Sequence, residues 1–299
     1  MFLGLGLVPQ ALHAQPLAAE ISATRPGQIE IRLPPSPGQW LHIESSHDLH
    51  TWKITEGPVP HLPKVTLTTA SKPFGFFRIR TRSELRPPYT VAVIGDSTAS
   101  GVIREGTVVS GGWAEGLKAF TGPDTRILNA AEPGLSTKNA LGERRARLAI
   151  IERTRPAFVL IQFGQIDQFS KPEENKSTTL SEFQDNLETM VSIIRSWNGT
   201  PILVTPLPWR VFRPDGSIST TLRDRSDAML ELSDRLGIYA IDFHAILSAF
   251  YLSILPSERH TLSAVDQYHF SEKGAVVGAE RLIQAFPPHL RSLLFETEQ

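Results

Sequence analysis

The spacing of apolar positions along this chain changes once, near residue 85. Upstream, apolar and polar residues alternate over short stretches: Gln28–Leu33 (Q-I-E-I-R-L), Trp40–Glu44 (W-L-H-I-E), Lys64–Thr68 (K-V-T-L-T) and Phe74–Arg80 (F-G-F-F-R-I-R). A period of two, bounded by Pro, Gly and Ser clusters, predicts strands with one covered face. Residues 17–82 are therefore expected to form a small β-sandwich-like module. Its aromatics Trp40, Trp52 and Phe76 are expected in its core; a sugar-stacking platform is the alternative use of the same residues.

Residues 83–89 read as a linker, because the paired prolines Pro87 and Pro88 oppose both helix and ladder pairing. Downstream the pattern changes to continuous apolar runs separated by amphipathic stretches. The runs are Thr90–Ile94, Arg126–Asn129, Ala157–Phe163, Pro201–Thr205 and Tyr239–Ile241. Between them, Trp113–Phe120, Lys138–Glu152, Ser181–Trp197 and Thr221–Leu236 carry helical spacing. Strands apolar on both faces, alternating with helices, predict an α/β domain over 90–299 whose parallel sheet is covered on both sides. Ligands of such sheets collect at the carboxyl ends of the strands. Ser97, Gly134, Gly164 and Pro206 all fall just after predicted strands.

Composition narrows the function. A formal charge of −1 without a basic stripe argues against nucleic acid as a partner. With no cysteine, disulfides, thiolate metal sites and a cysteine nucleophile are excluded. The opening M-F-L-G-L-G-L-V-P-Q-A-L-H-A-Q-P resembles a secretory signal with cleavage after Ala14, although it lacks a basic start. Residues 1–14 are thus expected to be a signal peptide and the protein secreted or periplasmic. The apolar run is too short for an ordinary membrane span, so no membrane insertion of the mature chain is expected.

Three residues bear the chemistry. Ser97 ends the run Y-T-V-A-V-I-G-D-S-T, in a strand-to-helix turn whose backbone N–H groups suit a developing oxyanion. Asp and Ser also cap turns without any catalytic role. Asp266 and His269 are spaced so that a carboxylate and an imidazole share one side of a turn. The carboxylate can then hold the ring tautomer while the other ring nitrogen takes the serine proton. His244 in I-D-F-H reads as a helix-start residue. Arg210 and Arg213, after the fourth strand, are candidates either to grip an acidic sugar or to solvate the rim.

Five blocks in order resemble the SGNH (GDSL-type) hydrolases, and within them the rhamnogalacturonan acetylesterase group. They are G-D-S-T (Gly95–Thr98), N-A-A-E-P-G-L-S-T (Asn129–Thr137), I-Q-F-G-Q-I-D (Ile161–Asp167), V-T-P-L-P-W-R (Val204–Arg210) and D-Q-Y-H (Asp266–His269). The resemblance implies a three-layer flavodoxin-like fold and hydrolysis of O-acetyl esters on a polysaccharide or oligosaccharide, with no metal or other cofactor. It makes Ser97 the nucleophile, His269 the base and Asp266 its orienting partner. The backbone N–H groups of Ser97 and Gly134 would be oxyanion donors.

One departure stands out. The family pattern Gly-x-Asn-Asp places a third donor, an asparagine side chain, where this chain has Ile166. Isoleucine donates nothing. Losing one such donor typically lowers turnover by about 10²–10³. Gln165 is the alternative donor if the loop is reshaped, and Asp167 is expected to bond loop amides. Two rival functions follow: a silent carbohydrate-binding protein on the same fold, and an acyltransferase using the same serine.

Overall fold

The computed structural model describes residues 20–25, 28–32, 39–46, 48–50, 53–60, 64–68, 76–83, 87–105, 107–169, 175–264 and 266–296. The expected signal peptide, Trp52 and residues 84–86 of the expected linker lie outside the described residues.

The N-terminal module consists of β1 (Glu20–Arg25), β2 (Gln28–Arg32), β3 (Gln39–Ser46), β4 (Lys53–Pro60), β5 (Lys64–Thr68) and β6 (Phe76–Ser83). They form two antiparallel three-stranded sheets, ordered β1–β2–β5 and β4–β3–β6. Two of these strands escape the alternation pattern. β1 is mostly polar, and β4 contains Gly57 and Pro58, which weaken a strand reading. Both are edge strands, where proline is tolerated because one side needs no ladder bond. Trp40 is buried as expected, 3% exposed, and its ring lies 6.2 Å from Tyr89 at the start of the next domain. Phe76 departs from the core expectation at 41% exposed, because it opens its strand at the sheet end.

The second domain is built on β7 (Tyr89–Gly95), β10 (Thr125–Asn129), β11 (Phe158–Gln162), β12 (Thr200–Val204) and β13 (Tyr239–Ile241), all parallel and ordered β10–β7–β11–β12–β13. The strand that comes first in the sequence of this sheet thus sits inside it, and the chain reverses its direction of travel between β7 and β11. A crevice opens at the carboxyl ends of two such strands because their connections leave to opposite faces. A short hairpin, β8 (Val102–Arg104) with β9 (Thr107–Ser110), follows the first helix.

Alternation within the buried strands builds two cores. Val91, Val93, Phe158, Leu160, Ile202 and Val204 face α2 (Trp113–Gly116), α8 (Phe243–Ser253), α10 (Glu272–Gln284) and α11 (Pro288–Leu294). Ala92, Ile94, Val159, Ile161 and Leu203 face α4 (Ala146–Thr154), α6 (Leu180–Arg195) and α7 (Arg223–Leu236). Every residue of the central strands β11 and β12 is buried, which is why these strands read as unbroken apolar runs, whereas Arg126 on the edge strand β10 is exposed. The layers are helix, sheet, helix.

Helix limits follow local chemistry. At α6 the Thr179 hydroxyl accepts from the Glu182 N–H, and the Glu182 carboxylate accepts from the Thr179 N–H at 2.8 Å. Phe183, Leu187, Met190, Val191 and Ile194 then form its buried stripe. The single helix expected over Lys138–Glu152 is instead α3 (Thr137–Leu141) and α4, separated at Gly142. Arg144, just past that break, is drawn to the Glu132 carboxylate and the Pro133 carbonyl.

Candidate active site

Ser97 is the first residue of α1 (Ser97–Ser100). Asp96 caps that helix through its side chain, accepting from the Thr98 N–H at 2.9 Å. The Thr98 hydroxyl lies 2.7 Å from Asp96 Oδ1 and 2.9 Å from Gln162 Oε1, and Trp113 Nε1 donates to the same Gln162 oxygen at 3.2 Å. The turn bearing Ser97 is therefore tied to both β11 and α2. Burial pushes the Asp96 carboxyl up, with its bonds to Thr98 opposing. Ser97 is only 6% exposed, and its N–H meets no acceptor among the described residues.

His269 Nε2 lies 2.7 Å from Ser97 Oγ, and His269 Nδ1 lies 2.6 Å from Asp266 Oδ2. The second carboxylate oxygen, Oδ1, accepts the N–H groups of Tyr268 at 3.0 Å and His269 at 2.7 Å. The spacing thus makes a tight turn around one carboxylate rather than a helix face. Burial is the largest influence on Asp266 and pushes its carboxyl up. The bonds from the His269 ring and from the two N–H groups outweigh it and hold the carboxyl below its ordinary value.

The segment carrying His269 folds back on itself. Ala264 N–H donates to the His269 carbonyl at 3.0 Å, and Ser271 N–H to the Leu262 carbonyl at 3.1 Å. Gly111 N–H donates to the Phe270 carbonyl at 2.8 Å, binding this segment to the exit of the β8–β9 hairpin. Ser271 caps α10, accepting from Gly274 N–H at 3.0 Å, as its S-E-K-G-A sequence predicts.

Arg210 requires a correction. Of its two expected uses, solvating the rim does not fit: it is 7% exposed, and one guanidinium nitrogen donates inward to the His269 carbonyl and to the Asp266 carbonyl. Its carbon face lies over the rings of Tyr251 (5.6 Å) and Phe270 (5.9 Å). That one nitrogen braces the histidine segment, while Nε and Nη1 are buried without a hydrogen-bond partner among the described residues. Arg213 is exposed, beside Asp215 and 3.4 Å from the Thr220 hydroxyl, with no bond to the Ser97–His269 pair.

Gly134 has a φ of +72°, which favours glycine, and the loop carrying it docks on the nucleophile strand where Glu132 N–H donates to the Gly95 carbonyl at 2.9 Å. Its N–H likewise meets no acceptor among the described residues. Gln165, 7% exposed, begins α5 (Gln165–Phe169), and its Oε1 accepts from Trp209 Nε1 at 2.9 Å. Ile166 is partly exposed. Asp167 accepts from the Thr137 N–H and from the hydroxyls of Thr137 and Thr178, as expected for a loop anchor. His244 is the second residue of α8, buried, with Nε2 3.2 Å from the Thr221 carbonyl; burial pushes its imidazole down.

Two aromatic residues went unread in the sequence. Trp209 and Tyr268 are stacked at 5.7 Å and 28°, and the Tyr268 ring lies 4.6 Å from that of His269. Trp209 stands in V-T-P-L-P-W-R, so the strand-end signal located it, but only folding brings it to Tyr268. Beyond the histidine segment, a cavity of about 570 Å³ bordered by Asp266 is walled by Arg210, Phe212, Arg259, His260 and Gln267.

Fold and site together define a class: a parallel α/β/α domain with a serine–histidine–aspartate relay at the switch in strand order. Comparison with known proteins bears on the fold and the family. The model of the GDSL-like Lipase/Acylhydrolase family matches residues 93–277, and the chain belongs to that family. Rhamnogalacturonan acetylesterase RhgT of Bacillus subtilis (strain 168) is 30% identical over 206 residues, which cover 64% of this chain and 87% of that protein. Among solved structures, protein YXIM from Bacillus subtilis superposes with a TM-score of 0.58 at 18% identity, covering 86% of this chain and 79% of its own. Axe2, an acetylxylan esterase from Geobacillus stearothermophilus, superposes with a TM-score of 0.51 at 18% identity, covering 66% and 93%. These superpositions concern the fold. Among the described residues, no helix is long and apolar enough to cross a membrane.

Proposed function

We propose that the protein is a serine esterase that removes O-acetyl groups from polysaccharide or oligosaccharide. The observation that carries this reading is the unbroken relay from Asp266 through His269 to Ser97. His269 Nε2 takes the Ser97 proton as Oγ bonds to the acetyl carbon. The carbonyl oxygen gains the charge and is met by the free N–H groups of Ser97 and Gly134. As the tetrahedral intermediate collapses, the bond from the acetyl carbon to the sugar oxygen breaks and His269 returns the proton to that oxygen. Water, deprotonated by His269, then attacks the acetyl-Ser97 ester; acetate leaves and the proton returns to Oγ. Asp266 stabilises the imidazolium in both halves and keeps Nδ1 protonated between them.

Carbohydrate as the acetyl carrier is supported by the names of the acetylesterases above and by the Trp209–Tyr268 stack beside His269, since aromatic faces suit the C–H faces of sugar rings. Arg213, exposed after the fourth strand, is the candidate contact for an acidic sugar that solvent reaches most freely. The apolar N-terminal stretch supports export of the mature chain, and acyl transfer to a second sugar is the enzymatic alternative. Ile166 favours the silent-binder alternative, because it supplies no donor where the family pattern has one.

One experiment separates active from silent. A fluorophosphonate should label the wild-type protein covalently and leave Ser97→Ala unlabelled, with acetate released from acetylated glycans only by the former. An unlabelled, inert wild-type protein refutes the enzyme reading. Acetyl transfer to an added sugar in preference to water refutes the hydrolase form.

A further inference from the structure

Resting on the reading of Ser97 as nucleophile, we propose that the Gln165 carboxamide is a third oxyanion donor and that Trp209 is its positioning residue. The orientation of the carboxamide follows from one contact. An indole N–H can only donate, so the Gln165 atom 2.9 Å from Trp209 Nε1 is the carboxamide oxygen. The NH2 group therefore faces away from Trp209, and no acceptor among the described residues meets it. It also keeps contact with solvent, unlike the sealed NH2 of Gln162 at the end of β11. A side chain otherwise buried, with its acceptor occupied and its donors open, is prepared for an incoming acceptor.

Its place in the fold matches the chemistry. β7 and β11 are parallel neighbours with Gln162 opposite Gly95. Ser97 lies two residues past Gly95 and Gln165 three past Gln162, so both leave the sheet at the same crevice. From the other side, Trp209 is held by its stack on Tyr268, which packs against the His269 ring. The carboxamide oxygen is thus fixed from the side of the base, and the NH2 is turned away from it. Ile166 has no donor and needs none if the preceding residue supplies it. Trp209 does not touch the reacting atoms. Its N–H prevents the carboxamide from turning its oxygen toward a developing negative charge.

The test is a double-mutant cycle on aryl acetate hydrolysis by the full chain. Gln165→Ala and Gln165→Met, the latter keeping length without a donor, should each lower kcat by about 10²–10³ with little change in KM. Trp209→Phe keeps the stacked ring and removes the N–H; it should lower kcat about tenfold, the worth of one oriented hydrogen bond. In the Gln165→Met background the same Trp209→Phe change should cost nothing more, because its partner is already gone. If both Gln165 variants stay within about threefold of wild type while Ser97→Ala is inactive, the donor assignment is overturned and the nucleophile stands. Equal losses for Trp209→Phe in both backgrounds overturn the positioning role. Activity retained by Ser97→Ala overturns the underlying reading itself.

Discussion

Replacing Asp266 by asparagine perturbs one atom pair and tests the whole relay. In the folded protein Oδ1 accepts two backbone N–H groups, from Tyr268 at 3.0 Å and His269 at 2.7 Å, while Oδ2 faces His269 Nδ1 at 2.6 Å. An asparagine keeps the two backbone bonds only by leaving its oxygen at the Oδ1 position. Its NH2 then points at Nδ1, which must become an acceptor. A neutral imidazole with an unprotonated Nδ1 carries its proton on Nε2, facing Ser97 Oγ, and cannot serve as the base. Flipping the amide restores the ring tautomer but sacrifices both backbone bonds, at about 1–1.5 kcal/mol each. The productive arrangement therefore lies about 2–3 kcal/mol uphill, a loss of about 30- to 150-fold from the tautomer alone. Losing the carboxylate that steadies the imidazolium deepens this toward the roughly 10⁴-fold seen when such a relay receives an amide. The assay is kcat/KM for an aryl acetate, with thermal unfolding as the control that the segment still folds. A folded Asp266→Asn protein within tenfold of wild type would refute the argument, because Oδ1 and Oδ2 would not then divide their labour as described.

Two other predictions address what surrounds the relay. The Asp167 carboxyl is pushed up to about 6 by burial, with its bonds to Thr137 and Thr178 and the nearby Arg225 opposing. Unfolded, it titrates near 3.8, so the folded protein holds a proton between about pH 4 and 6 that the unfolded chain has released. This contribution is complete below the unfolded value and is lost as pH rises through the folded one, amounting to about 3 kcal/mol. The stability of wild type relative to Asp167→Asn, from urea midpoints, should accordingly fall by that order between pH 4 and 6.5; a flat difference would count against the buried acid. Arg210→Met should destabilise the protein by about 1–3 kcal/mol through its lost bonds to the His269 and Asp266 carbonyls, and should lower kcat more than it raises KM. A change in KM alone would return Arg210 to the substrate side of the loop.

Much of the domain was legible because its sheet is covered on both faces. A strand such as Phe158–Gln162 has no polar side to confuse with a helix or loop, and the amphipathic stretch after it can only cover it. The five apolar runs, their parallel pairing and the residues at their ends were therefore all readable. The edge strands β1 and β4 were not, because an edge position tolerates polar residues, glycine and proline and so erases the alternation that marks a strand.

By itself the sequence determined the kind of chemistry: a serine after a buried strand, and a carboxylate and imidazole spaced for one turn. Only the tertiary structure decided how those groups are held. Arg210 looks the same in sequence whether it faces water or the underside of a histidine segment, since its long stem reaches either way; packing against Tyr251 and Phe270 chose the inside. The contact between Trp209 and Gln165 joins residues 44 positions apart, and nothing local to either one specifies it. Local spacing encodes which residues can act within a single turn, whereas the direction in which a long side chain or a carboxamide points is settled by what the rest of the chain packs against it.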